Sequence, residues 1–136
     1  MTGEGCPHSG GISGATLAPS GNAFMFDGSI KFHVTGMPSN KVGLILRGRN
    51  QINGGLGMSV GNGLMCTGGQ IARSQLALSD SFGDMTFHQF NGDTFTRTSY
   101  GAGIPATYQL WYRDPVGGCT GTGFNFSNAW SLPWVL

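Results

Sequence analysis

The nine residues Thr107–Pro115, TYQLWYRDP, hold the clearest β-strand pattern of the chain. Successive side chains of a strand point to opposite faces of the sheet. One face would carry Tyr108, Leu110 and Tyr112, and the other Gln109, Trp111 and Arg113. Strict alternation over this length is typical of a strand that packs one face on a core.

Similar runs occur on both sides of this strand. SIKFHVTG at 29–36 alternates in the same way, and the apolar run KVGLILRG at 41–48 predicts a central strand. QIARSQLAL and DMTFHQF are weaker strand signals, and Pro133 places the last run, NAWSLPWVL, on an edge or at a bulge. Short strands at this spacing predict a sandwich or barrel. We expect a flexible segment over 1–13 and one all-β domain over 14–136, an antiparallel jelly-roll-like sandwich of about eight strands.

The stretch Asn53–Ser74, NGGLGMSVGNGLMCTGGQIARS, contains seven glycines among 22 residues. It lacks the GxxxxGK[ST] pattern and the following helix that a phosphate-binding loop needs. Leu56, Val60 and Met65 interrupt it too often for a flexible linker. The remaining interpretation is a pair of short strands joined by tight turns, with glycine where φ is positive.

Charge is scarce and balanced in this chain of 136 residues. Its net charge is +1 and 10% of its residues are charged, against about 25% in an ordinary soluble domain. This balance argues against a nucleic-acid partner, which selects a basic surface, and no apolar run is long enough for membrane insertion. We expect a secreted or cell-surface protein whose signal peptide and upstream modules lie outside this chain.

The three cysteines are Cys6, Cys66 and Cys119. Their spacing does not fit a zinc site, whose ligands cluster in pairs. Cys66 and Cys119 both lie in Gly-rich turns, so we expect one disulfide between them, and closing that loop would stabilise the fold by roughly 4 kcal/mol. Cys6 is then a free thiol or forms an intermolecular bridge.

Several motifs in order resemble a C-terminal accessory domain of secreted multi-domain proteins from planctomycetes and other environmental bacteria. The motifs are NGG at Asn53–Gly55, GNGLMCTGG at Gly61–Gly69, Arg73, WYR at Trp111–Arg113, Cys119, a FNFSN turn at Phe124–Asn128, and Trp134. The resemblance implies a secreted or surface-exposed module and supports the Cys66–Cys119 bridge. It implies no activity, and the further cysteines that this family carries before the position of Cys6 are missing here.

The aromatic and arginine residues near the C-terminus are the candidate ligand or interface residues. They are Trp111, Tyr112, Arg113, Trp130 and Trp134. Aromatic side chains fill cores because each buries a large area, but an exposed ring can also stack on a sugar. Arg73 and the Arg113–Asp114 pair either fix turns through ion pairs or contact a ligand.

The sequence predicts no catalytic residue, no metal and no cofactor. Calcium is the alternative left open by Asp80, Asp84 and Asp93, although their spacing matches no calcium loop. The histidines are isolated, and no serine lies in a GxSxG turn.

The predicted function is a non-catalytic extracellular structural or interaction module, which binds protein partners or copies of itself in oligomers or fibres. The alternative is a carbohydrate-binding module that contacts polysaccharide through exposed Trp and Tyr side chains. A small secreted hydrolase is the third hypothesis.

Overall fold

The structure, a computed structural model, describes residues 14–21, 31–61, 63–69, 71–74, 76–88, 105–114 and 123–133. Within these ranges the chain forms strands and one short 3₁₀ segment, Ile52–Gly55. The strands are β1 Thr16–Ser20, β2 Lys31–Thr35, β3 Val42–Gly48, β4 Asn50–Gln51, β5 Met58–Val60, β6 Gly63–Met65, β7 Thr67–Gly68, β8 Ala72–Arg73, β9 Ala77–Leu78, β10 Met85–His88, β11 Pro105–Arg113 and β12 Phe124–Pro133. The all-β prediction is confirmed.

A three-stranded antiparallel sheet has the order β1-β2-β10. In β2 the side chains of Phe32 and Val34 are buried, whereas Lys31, His33 and Thr35 are exposed. This is the alternation that the sequence predicted for the segment.

A five-stranded antiparallel sheet has the order β12-β11-β3, and the short strands β8 and β9 both pair with the far edge of β3. The apolar strand β3 is therefore central, as predicted, and β12, which ends at Pro133, lies at the edge. Two strand pairs, β4-β7 and β5-β6, complete the described sheets. The segment Phe124–Asn128, expected as a turn, instead forms the first half of β12.

Both larger sheets contribute side chains to one hydrophobic core. From the three-stranded sheet these include Leu17, Phe32 and Val34, and from the five-stranded sheet Ile45, Tyr108, Leu110 and Tyr112. The rings of Phe32 and Tyr108 lie 4.8 Å apart between centroids. The predicted core face of β11 is therefore correct, while the jelly-roll-like sandwich arrangement stays a prediction.

Cys66 lies between β6 and β7 and is a buried, free thiol. Burial raises the pKa of the Cys66 thiol above its usual value, which favours the protonated thiol at neutral pH. Its predicted partner Cys119 and Cys6, which was expected to be a free or intermolecular thiol, lie outside the described residues, as does the predicted N-terminal segment 1–13. The predicted disulfide is not confirmed.

Of the residues that the structure describes, no helix has the length and apolar character needed to cross a membrane.

Candidate binding groove

The face of the five-stranded sheet that points away from the core carries the outward side chains of β3 and β11. On β3 these are Leu44 and Leu46, the neighbours of the core residue Ile45. On β11, Trp111 pairs in register with Leu44. An apolar run in β3 with alternating faces thus leaves an apolar surface on each side of the sheet.

A cavity of about 390 Å³ opens on this face, and we call it the aromatic groove. Strands β3, β11 and β12 form its floor, and the β5-β6 hairpin and the β8 region form its sides. The groove is lined by Leu44, Leu46, Val60, Met65, Ile71, Arg73, Trp111, Phe124 and Phe126. Of these nine side chains only Arg73 is charged.

The aromatic rings of the groove contact one another. The rings of Trp111 and Phe124 stack at 6.0 Å with an interplanar angle of 29°, and Phe124 meets the edge of Phe126 at 6.0 Å and 84°. The guanidinium carbon of Arg113 lies 5.4 Å from the centroid of the Trp111 ring, within range of a cation–π interaction. The Trp111 ring therefore contacts both a phenyl ring and a cation.

Glycine allows the β5-β6 hairpin to lie directly on β12. Gly61 has a φ of +61°, and a Cβ built there would collide with the ring of Phe124. A Cβ on Gly63 would collide with the side-chain oxygen of Asn125. The predicted positive-φ turn is correct at Gly61, but the pattern of residues did not indicate that these glycines also make room for side chains of β12.

The fully buried Gln109 ties the hairpin to the sheet. Its Nε2 donates hydrogen bonds to the carbonyl oxygens of Leu64 and Ser127, each at 2.7 Å, and its Oε1 accepts one from the Cys66 amide at 2.8 Å. The pairing of β11 with β12 shifts register between Gln109 and Trp111. Alternation placed Gln109 on the face opposite the core, and sequence reasoning missed that the hairpin covers it.

Two of the predicted ligand residues meet at the groove, Trp111 in its lining and Arg113 against the Trp111 ring. Tyr112 is fully buried in the core, which corrects its place among the candidate surface residues. Burial raises the pKa of Tyr112 to about 12. Trp134 lies outside the described residues.

Trp130 lies away from the groove and joins β12 to β1. Its indole Nε1 donates a hydrogen bond of 2.6 Å to the carbonyl oxygen of Leu17, and the ring is 41% exposed. The Asn128 side chain accepts from the Leu17 amide at 2.8 Å and donates to the Leu17 carbonyl at 3.0 Å. Trp130 therefore has a structural role at this contact.

Arg113 and Asp114, which were expected to form an ion pair or to contact a ligand, differ in their exposure. The Arg113 guanidinium is exposed over Trp111, whereas Asp114 is fully buried. The Asp114 amide donates to the Gly123 carbonyl at 2.9 Å and so joins β11 to the start of β12. Arg73 is exposed at the groove, and among the described residues no ion-pair partner faces it.

Two polar clusters lie elsewhere. On the exposed face of the three-stranded sheet, His33 Nε2 is 2.8 Å from Ser20 Oγ and Nδ1 is 3.5 Å from Thr86 Oγ1. Asp80 Oδ1 accepts from the amides of Phe82 and Asp84, which fixes a turn.

The calcium alternative finds no further support in the described part of the chain, where no three His, Cys, Asp or Glu side chains group as metal ligands. Asp93, the third residue of that alternative, lies outside the described residues.

Comparisons with models of known protein families, with curated proteins and with solved structures found no match to this chain.

Proposed function

We propose that this chain is a non-catalytic interaction module that holds an apolar group of its ligand in the aromatic groove. The observation that carries the proposal is a cavity of about 390 Å³ in which eight of nine lining side chains are apolar. Small-molecule sites are typically concave, mostly apolar and about 300–1,000 Å³ in volume, with few polar groups.

The proposal includes the arrangement of the two larger sheets as a sandwich. The three-stranded and five-stranded sheets would form the two layers of a jelly-roll-like sandwich, and their shared core of Leu17, Phe32 and Tyr108 supports this arrangement. In an oxidising environment Cys66 would form its bridge to Cys119. The scarcity of charge supports a secreted or cell-surface location, as in the bacterial family that the sequence resembles.

Self-association is one form that the interaction can take. Exposed apolar side chains lie outside the groove as well, at Leu76, Leu78 and Phe82, and a net charge of +1 leaves little repulsion between copies. Carbohydrate binding is the alternative, and the half-exposed ring of Trp130 favours it. The side chains that line the groove offer a sugar few hydrogen-bonding groups, namely the Arg73 guanidinium and the Trp111 indole N–H.

The test uses the uncharged dye N-phenyl-1-naphthylamine, which fluoresces in apolar surroundings. We expect the folded chain to bind it with energy transfer from Trp111, because that ring lines the groove. Ile71→Ser removes an exposed apolar lining residue and should weaken dye binding by about tenfold, through the lost apolar contact.

The matched control is Leu78→Ser, which removes an exposed apolar side chain of β9 that does not line the groove. Its dye affinity should equal that of the unchanged chain. Absence of dye binding, or equal affinities for the two variants, would contradict the groove as the binding site.

A further inference from the structure

We propose that the ligand of the aromatic groove is a small carboxylate with an aliphatic or aromatic body, whose anionic group pairs with Arg73. This inference rests on the proposed function and names the ligand class for the same site.

The position of Arg73 is fixed by its strand. Arg73 pairs in register with Leu46 in the floor of the groove. The next residue, Ser74, donates its amide to the Ile45 carbonyl at 2.9 Å, and its Oγ accepts from the Ile45 amide at 2.8 Å. The guanidinium therefore extends from an anchored backbone beside an apolar surface.

Among the described residues, no acidic side chain lines the groove beside Arg73. Of the acidic residues that the structure describes, Asp80 and Asp84 lie in a turn and Asp114 is buried, and none of the three lines the cavity. Arg113 lies against the Trp111 ring but is not among the side chains that line the cavity. An occupant with a negative charge would therefore complement Arg73.

The lining also limits which anion fits. A single guanidinium matches a carboxylate, which it binds through two parallel hydrogen bonds. A phosphate group needs more hydrogen-bond donors, such as clustered backbone amides or several cations. The remaining walls, including Leu44, Leu46 and Phe126, are apolar, so the body of the ligand must be apolar as well.

A free small molecule fits this surface better than a peptide terminus. Each buried peptide group needs hydrogen-bond partners, and the side chains that line the groove supply only the Arg73 guanidinium and the Trp111 indole N–H. A cavity of about 390 Å³ lies at the lower end of the small-ligand range. We therefore commit to a free monocarboxylic acid.

The experiment measures how decanoate and 1-decanol, each below its aggregation concentration, displace the dye N-phenyl-1-naphthylamine. The two probes share a chain and differ in the anionic head. We expect decanoate to bind at least about tenfold more tightly, as charge-assisted hydrogen bonds predict. Added salt should weaken decanoate and leave decanol unchanged.

Arg73→Gln should abolish the preference for decanoate, measured as the ratio of the decanoate and decanol affinities of the same variant. The charge-matched control is Lys31→Gln, which removes an exposed cation from β2 and should keep the full preference. Circular dichroism confirms that both variants are folded.

Each result decides one claim. If the dye binds but decanoate and decanol bind equally, the carboxylate assignment is wrong and the proposed function stands. If the dye does not bind, the groove is not a binding site, and the proposed function is wrong together with the ligand class. If an apolar peptide with a free carboxyl terminus binds more tightly than decanoate, the ligand is a peptide and the commitment to a small molecule is overturned.

Discussion

At the scale of single residues, Gln109 shows how one polar side chain can organise a surface. Its amide group satisfies two carbonyl groups and one backbone amide, on Leu64, Ser127 and Cys66, in a site without solvent. A buried polar group that loses its partner costs about 1–3 kcal/mol. The hairpin beside the groove thus depends on this residue.

We expect Gln109→Leu to lower the free energy of unfolding by about 2–5 kcal/mol, because it strands these three backbone groups. Urea denaturation measures the change. The control Gln51→Leu alters an exposed glutamine of β4 and should change stability by less than about 0.5 kcal/mol. Similar losses in the two variants would show that Gln109 has no special role.

At the scale of elements, the β5-β6 hairpin forms one side of the groove because its tip rests on Phe124. The positive φ of Gly61 and the space that its missing side chain leaves are separate requirements. A second glycine, Gly54, has a φ of +64° with nothing within 4 Å of its Cβ position. Alanine substitutions at Gly54 and Gly61 therefore distinguish the cost of backbone strain alone from the cost of strain together with a steric collision.

Gly54→Ala should cost about 1–2 kcal/mol, the usual penalty of a left-handed conformation for a residue with a Cβ. Gly61→Ala should cost distinctly more, since the methyl group also collides with Phe124, and it should weaken dye binding by lifting the hairpin. Thermal unfolding and dye titration measure both effects. Equal costs would show that Phe124 does not pack under the hairpin tip as described.

The strands were predictable from sequence where alternation is local. Phe32 and Val34 of β2, and Tyr108 and Leu110 of β11, are buried as their spacing predicts. The cover over Gln109 was not predictable, because alternation assigns a residue to a face without saying which distant segment packs on that face. The same reason explains why Phe124–Asn128 was expected as a turn and why Arg73 was not placed beside Trp111.

At the scale of the whole molecule, stability should depend on pH through Tyr112 in the shared core. Burial raises its pKa to about 12, and the negative charge of Asp114 adds to the shift, while a hydrogen bond with the Ala15 amide opposes it. An unfolded tyrosine ionises at a pKa of about 10. The unfolded state therefore loses protons first, and alkali favours unfolding.

We expect the free energy of unfolding to be unaffected by this group below about pH 9 and to fall by about 2 kcal/mol as the pH rises to about 12. Urea denaturation across this range, with tyrosinate absorbance, measures the effect. Tyr112→Phe cannot ionise and should show a shallower decline. An equal decline in both chains would place the alkaline transition on other groups.

The amide side chain of Asn128 meets the edge of β1 that faces away from β2 in the way that a neighbouring strand would, since it occupies both the N–H and the C=O of Leu17. The indole of Trp130 adds a second donor to the same carbonyl. A strand from another molecule could form backbone hydrogen bonds with Leu17 only after displacing the side chains of Asn128 and Trp130. Extension of the sheet by strand addition is therefore blocked at Leu17.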